Sequence, residues 1–134
     1  MEVKDVVQVG AAEERVFRVE ERFTATHIGS GSLAVLATPS MIGFMEWVAC
    51  DLLARRLPEG LSSVGILVEV RHLAPTPMGK EVRVRSEVTE VDGRRVTFTV
   101  QAWDAVELVG EGRHQRAVVE VSRFLHRVKS KEAA

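Results

Sequence analysis

The chain has one cysteine, no tyrosine, no asparagine, only four prolines, few aromatic residues and almost no net charge. The single thiol, Cys50, excludes an internal disulfide and any Cys-x-x-Cys metal site. A formal charge of -1, with no stripe of lysine and arginine, argues against nucleic acid or an anionic membrane as a partner. No run approaches the ~20 apolar residues of a membrane span. The opening M-E-V-K-D-V-V-Q-V-G also lacks the basic start and apolar run of a signal peptide, so the expected location is the cytoplasm. Lysine is scarce beside arginine, four against fourteen. Together with the missing asparagine, this is a habit of heat-stable proteins and equally of GC-rich genomes.

What is present centres on Thr38 to Leu57, T-P-S-M-I-G-F-M-E-W-V-A-C-D-L-L-A-R-R-L. At about 100° per residue, Met41, Ile42, Met45, Val48, Ala49, Leu52 and Leu53 share one broad arc, which predicts a helix with a buried face. Phe44 and Trp47 make the other side apolar too. Glu46 falls inside the arc, where a carboxylate must be paired, protonated or turned toward a cavity, because burying it alone is too costly. Thr38 suits the N-cap and Pro39 the first helical position. Pro58-Glu59-Gly60 cannot continue the helix.

A chain of 134 residues is one domain, here taken as 1-134 with a lead-in over 1-14 and a disordered tail over 129-134. Strands are predicted from Arg15 to Thr24, Ser62 to Leu73, Glu81 to Val91, Arg94 to Trp103 and Leu108 to Val128, with Asp92-Gly93 as a tight hairpin. Between the first strand and the helix lies a Gly- and Ser-rich loop. One strand, one long helix and a four-strand meander make an α+β fold, in which a curved antiparallel five-stranded sheet wraps one central helix.

This order resembles the hot-dog fold. The stretches T-P-S-M-I-G-F-M-E-W-V-A-C, V-G-I-L-V-E-V-R-H-L-A-P-T-P-M-G, V-D-G-R-R-V-T-F-T-V-Q-A-W-D and E-G-R-H-Q-R-A-V-V are similar to the thioesterases of that fold, most closely the fluoroacetyl-CoA thioesterase-like group. The resemblance implies an acyl-CoA thioesterase that acts as a homodimer, or as a tetramer of two dimers, with its sites at the subunit interface. It implies that Thr38, Glu46 and His72 are the catalytic residues, that the Gly65 backbone helps bind the carbonyl, and that Arg116 lies in the substrate pocket. It implies no metal or prosthetic group, coenzyme A entering only as part of the substrate. One departure stands out: Ala25 to Ala37 contain no Phe, Trp or Tyr, whereas the fluoroacetyl-specific enzyme uses aromatic lid residues there. Fluoroacetyl-CoA is therefore not the expected substrate.

Each candidate also has a plainer reading. Glu46 beside Met45, Ala49 and Leu53 serves as a general base or nucleophile, or merely pairs with an arginine. His72, in phase with Ile66, Val68 and Val70, orients Thr38 or a water and moves a proton to the departing thiolate, or is a core histidine. Thr38 is a catalytic hydroxyl or a plain cap. Eight residues of helix separate it from Glu46 by ~12 Å, so the two meet only if the chain folds back or a second copy intervenes. Gly65 interrupts a bulky strand, marking a bulge or a close approach of ligand to backbone, where its N–H would receive the charge growing on a thioester oxygen. His114 and Arg116 are in phase on the last strand, where a solvated face is the default. Arg55, Arg56, Arg94 and Arg95 are candidates for the phosphates of coenzyme A, and Cys50 reads as core. Two rival functions are a non-catalytic acyl-CoA-binding module and a hydratase or dehydratase. The latter wants an Asp near the helix start, and none lies between Met41 and Trp47.

Overall fold

A computed structural model describes residues 1–134. Its strands are β1 (Ala12–Arg18), β2 (Leu61–His72), β3 (Glu81–Asp92), β4 (Arg95–Trp103) and β5 (Leu108–Glu120), and its helices are α1 (Ala25–Ile28), α2 (Thr38–Ala54) and α3 (Val121–Ser130). The strands form one antiparallel sheet in the order β1-β3-β4-β5-β2, which leaves β1 and β2 as its edges. The sheet wraps α2, as the sequence pattern predicts. No helix is long and apolar enough to cross a membrane.

The predicted buried arc is the core except at Ile42, which lies at its margin and stays partly exposed. Met41, Met45, Val48, Leu52 and Leu53 are all at most 1 % exposed and pack on Val82, Val84, Val88, Val96, Phe98 and Val100 of the two central meander strands. Each large side chain withdrawn in this way contributes roughly 1.5–3 kcal/mol. The second apolar side of α2 is also used: Phe44 stacks on Phe17 of β1 at 4.1 Å and meets Phe23 edge-on at 4.8 Å. Trp47 stays 48 % exposed, with the Arg15 guanidinium 4.6 Å above its ring.

Several boundaries differ from the sequence pattern. The N-cap of α2 is Ala37, Thr38 is its first helical residue, and Pro39 falls one position later, still within the first turn where it costs no hydrogen bond. The residues before β1 are more than a lead-in, because Val3 and Val7 belong to the core. The last strand stops at Glu120 and the chain continues as α3, where a strand to Val128 was expected. The cause is a change of period: Val121, Phe124, Leu125 and Val128 follow the helical spacing i, i+3, i+4, i+7. Lys129 and Ser130 close α3, and Lys131–Ala133 add a single exposed 3-10 turn where a disordered tail was expected.

Candidate active site

Two clusters of functional side chains face α2 from β2 and β5. In the first, Thr38 begins α2 and His72 ends β2, and Thr38 Oγ1 lies 2.7 Å from His72 Nδ1. The hydroxyl goes to the imidazole instead of capping the helix. The Nε2 atom of His72 is buried and has no hydrogen-bond partner. Burial holds this imidazole below its ordinary pKa, with the Ala74 backbone opposing. A hollow of about 320 Å³ opens beside the pair, lined by Ala25, Ser30, Leu36, Ala37, Leu73 and Pro75 among others, with no Phe, Trp or Tyr.

In the second cluster the Glu46 carboxylate lies over Gly65. A Cβ on that glycine would stand 2.8 Å from Glu46 Oε2, 3.3 Å from His114 Cε1 and 3.6 Å from Arg116 Nη1. The glycine is there because the carboxylate approaches the strand too closely for a side chain. His114 Nδ1–H donates to the Leu67 carbonyl at 2.8 Å, which leaves Nε2 to accept from Arg116 Nη1 at 3.2 Å. Arg116 also donates from Nε to Ser63 Oγ at 2.9 Å and from Nη2 to the Ser63 carbonyl at 3.1 Å. Burial, and then the charge of Arg116, hold His114 below its ordinary pKa against the Leu67 carbonyl and the Glu46 carboxylate. The imidazole is therefore neutral and acts as a strut between the Leu67 backbone and Arg116.

A bulge puts both clusters on one face. Gly65 and His72 are seven residues apart, an odd separation that sends side chains to opposite sides of an unbroken strand. The register of β2 against β5 shifts between Gly65 and Leu67, leaving Ile66 without a partner and resetting the phase. Ser63 and Gly65 thus share the helix side with Val70 and His72. The period-two reading assigned Ile66 and Val68 to that side as well, yet they remain 52 % and 38 % exposed on the edge strand.

All five candidates face this region, but they divide: Thr38 joins His72, and Glu46 joins Gly65 and Arg116. The expected solvated face at His114 and Arg116 is corrected, since they are 1 % and 6 % exposed. The strand β5 lies between β4 and β2, so its inward side chains have no access to water, and partners on β2 satisfy their polar atoms. Ser63 is the residue of the cluster that the sequence reading did not single out: its Oγ and its carbonyl hold Arg116. The phase of His114 with Val118, a buried apolar residue on the same strand, is the signal for its burial.

A pH effect follows from the two depressed imidazoles. Below the ordinary histidine value of about 6.5 an unfolded chain takes up protons that the folded chain refuses, so stability falls as pH drops through that value. Thermal melts are expected to show a lower Tm at pH 5.5 than at pH 7.5. His114→Asn is expected to reduce that difference, and an equal difference in the variant would contradict the assignment.

A single helix wrapped by a five-stranded antiparallel sheet is the hot-dog fold, and in this chain a carboxylate of that helix lies over a glycine of the edge strand. Residues 19–122 match the profile of the fluoroacetyl-CoA-specific thioesterase family, and the chain belongs to that family. By family it is an acyl-CoA thioesterase. It is 36 % identical over 138 residues to the fluoroacetyl-CoA thioesterase of Streptantibioticus cattleyicolor, with 98 % of this chain and 99 % of that protein covered. A solved structure of a fluoroacetyl-CoA thioesterase superposes with a TM-score of 0.88 at 34 % identity, covering 93 % of this chain and 97 % of the other. A hot-dog-like protein from Thermanaerovibrio acidaminovorans superposes at 0.91 with 30 % identity, covering 98 % of this chain and 97 % of the other.

Proposed function

We propose that the protein hydrolyses the coenzyme A thioester of an acyl group other than fluoroacetyl, in a homodimer whose sites each draw on both subunits. The carrying observation is the division of the site. Thr38 pairs with His72 at the first turn of α2, whereas Glu46 lies two turns on, ~12 Å away, against Gly65. One carbonyl carbon cannot be within reach of both groups of a single chain. A second copy related by a two-fold axis brings the Thr38 and His72 of one subunit to the Glu46 and Gly65 of the other. The β2 edge supports this reading, since Ile66 and Val68 are exposed along it and Leu73 just beyond its end.

Glu46, as base or nucleophile, drives attack on the thioester carbonyl, with water as the ultimate source of the new oxygen. The Gly65 backbone N–H receives the oxyanion as the tetrahedral species forms. The C–S bond then breaks, and the thiolate of coenzyme A takes a proton through the Thr38 and His72 pair. The acid and free coenzyme A are the products. The acyl group enters the hollow beside Thr38, whose lining of Ala25, Ser30, Ala37 and Ala74 leaves room that aromatic lid residues would fill.

The test is subunit complementation. Thr38→Ala and Glu46→Gln are each expected to be nearly inactive alone. A purified heterodimer of the two is expected to hydrolyse a short acyl-CoA at about half the wild-type rate, because one of its two sites then holds no altered residue. An inactive heterodimer would place each whole site within one chain and end the composite reading.

A further inference from the structure

We infer that the hollow between the β3–β4 hairpin tip and α3 holds the phosphorylated nucleotide end of coenzyme A. The inference rests on the acyl-CoA reading above. Among the fourteen arginines, nine have a partner for the guanidinium: Arg15, Arg22, Arg55, Arg83, Arg85, Arg95 and Arg113 in ion pairs, and Arg56 and Arg116 in hydrogen bonds. Three of the remaining five, Arg94, Arg123 and Arg127, line one hollow of about 210 Å³. Three of the four arginines considered from the sequence for the phosphates are thereby already engaged: Arg55 with Glu13, Arg95 with Asp92 and Arg56 with the Leu52 carbonyl. Only Arg94 is free.

The chemistry of the hollow is specific in two ways. Three unpaired guanidiniums give a concentration of positive charge and forked donors suited to phosphate oxygens. One carboxylate, Glu120, also lines the hollow, and it accepts a bond from Ser122 Oγ at 3.2 Å. The floor is apolar, made by Val118, Val119 and the ring of Phe124. A flat base stacks on such a ring while arginines hold its phosphates. Coenzyme A presents this combination, an adenine with a diphosphate and a 3′-phosphate.

The position fits as well. Gly65, beneath Glu46, pairs with Arg116, and Leu61 pairs with Glu120 at the edge of the hollow. Four residues of strand separate these points by ~13 Å, a distance that the pantetheine arm spans. The helix α3 that supplies two of the arginines is the element that the alternating pattern of the sequence concealed.

The experiment compares wild type with Arg94→Ala/Arg123→Ala/Arg127→Ala on an acyl-CoA and on the matching acyl-pantetheine, which lacks the nucleotide. All three arginines are on the surface, so the variant is expected to melt like wild type. For the acyl-CoA its KM is expected to rise about tenfold or more with kcat unchanged. For the acyl-pantetheine, KM and kcat are expected to match wild type. A KM for acyl-CoA equal to that of wild type, or equal losses on both substrates, would overturn the inference. Titration with adenosine 3′,5′-bisphosphate reads the hollow without catalysis. Binding is expected in wild type and not in the variant, and equal binding by both would reject the site. If wild type binds this nucleotide yet hydrolyses neither thioester, the hydrolytic reading fails while the nucleotide site stands.

Discussion

Glu46→Gln is expected to lower kcat on a short acyl-CoA by roughly 10²- to 10⁴-fold, the range that a positioned acid or base contributes. Glutamine keeps the length and shape of the side chain, so packing against Met45 and Ala49 and the approach to Gly65 are retained. What disappears is the only carboxylate turned toward the Gly65 strand position. Substrate binding is expected to change little, so KM stays near the wild-type value and the loss is confined to the chemical step. An independent sign is available at His114, whose depressed pKa is partly offset by the Glu46 charge. In Glu46→Gln that support is gone, and the His114 imidazole, followed by NMR, is expected to titrate lower still. Turnover within a factor of a few of wild type would remove Glu46 from the mechanism.

Gly65→Ala is expected to give the second-largest loss, roughly 10²-fold in kcat, with little change in Tm. The backbone at Gly65 is not in the left-handed region, so alanine adopts it without strain. The difficulty is the space above it. A methyl group would stand 2.8 Å from Glu46 Oε2 and 3.3 Å from the His114 ring. The His114 ring is held at Leu67 and at Arg116 and does not yield readily, so the carboxylate moves. A displacement of about 1 Å in a catalytic group is enough for a loss of that order. Kinetics with thermal melts separate the two effects. A stable variant of wild-type rate would mean that the carboxylate does not act at this point, whereas a lowered Tm with normal kcat would make the glycine a packing device only.

The two clusters differ in how far they are legible in the sequence. Thr38 and Glu46 are placed on the helix by local signals, the first by the cap position before Pro39 and the second by the period of the apolar arc. Gly65 and His72 are individually conspicuous on a β-branched strand, yet their odd separation sends them to opposite faces in any regular strand. Only the unpaired Ile66 reconciles them, and a bulge leaves no mark on a period-two pattern because it is one ordinary residue longer. His114 and Arg116 are polar residues in an alternating stretch, which reads equally well as a wet face. Their burial depends on partners more than forty residues away, Ser63 and Leu67, and on β2 closing that side of the sheet.

By itself the sequence determined the helix, the five strands, the fold that they make and an inward acid at Glu46, because apolar periodicity and turn residues act locally. The tertiary structure alone decided which side chains share a cluster, that Thr38 binds His72 and stands apart from Glu46, and that Arg94 meets Arg123 and Arg127 at one hollow with no partner for any of the three. Those outcomes depend on strand phase, register and the pairing of polar groups across distant segments, and no local pattern carries that information.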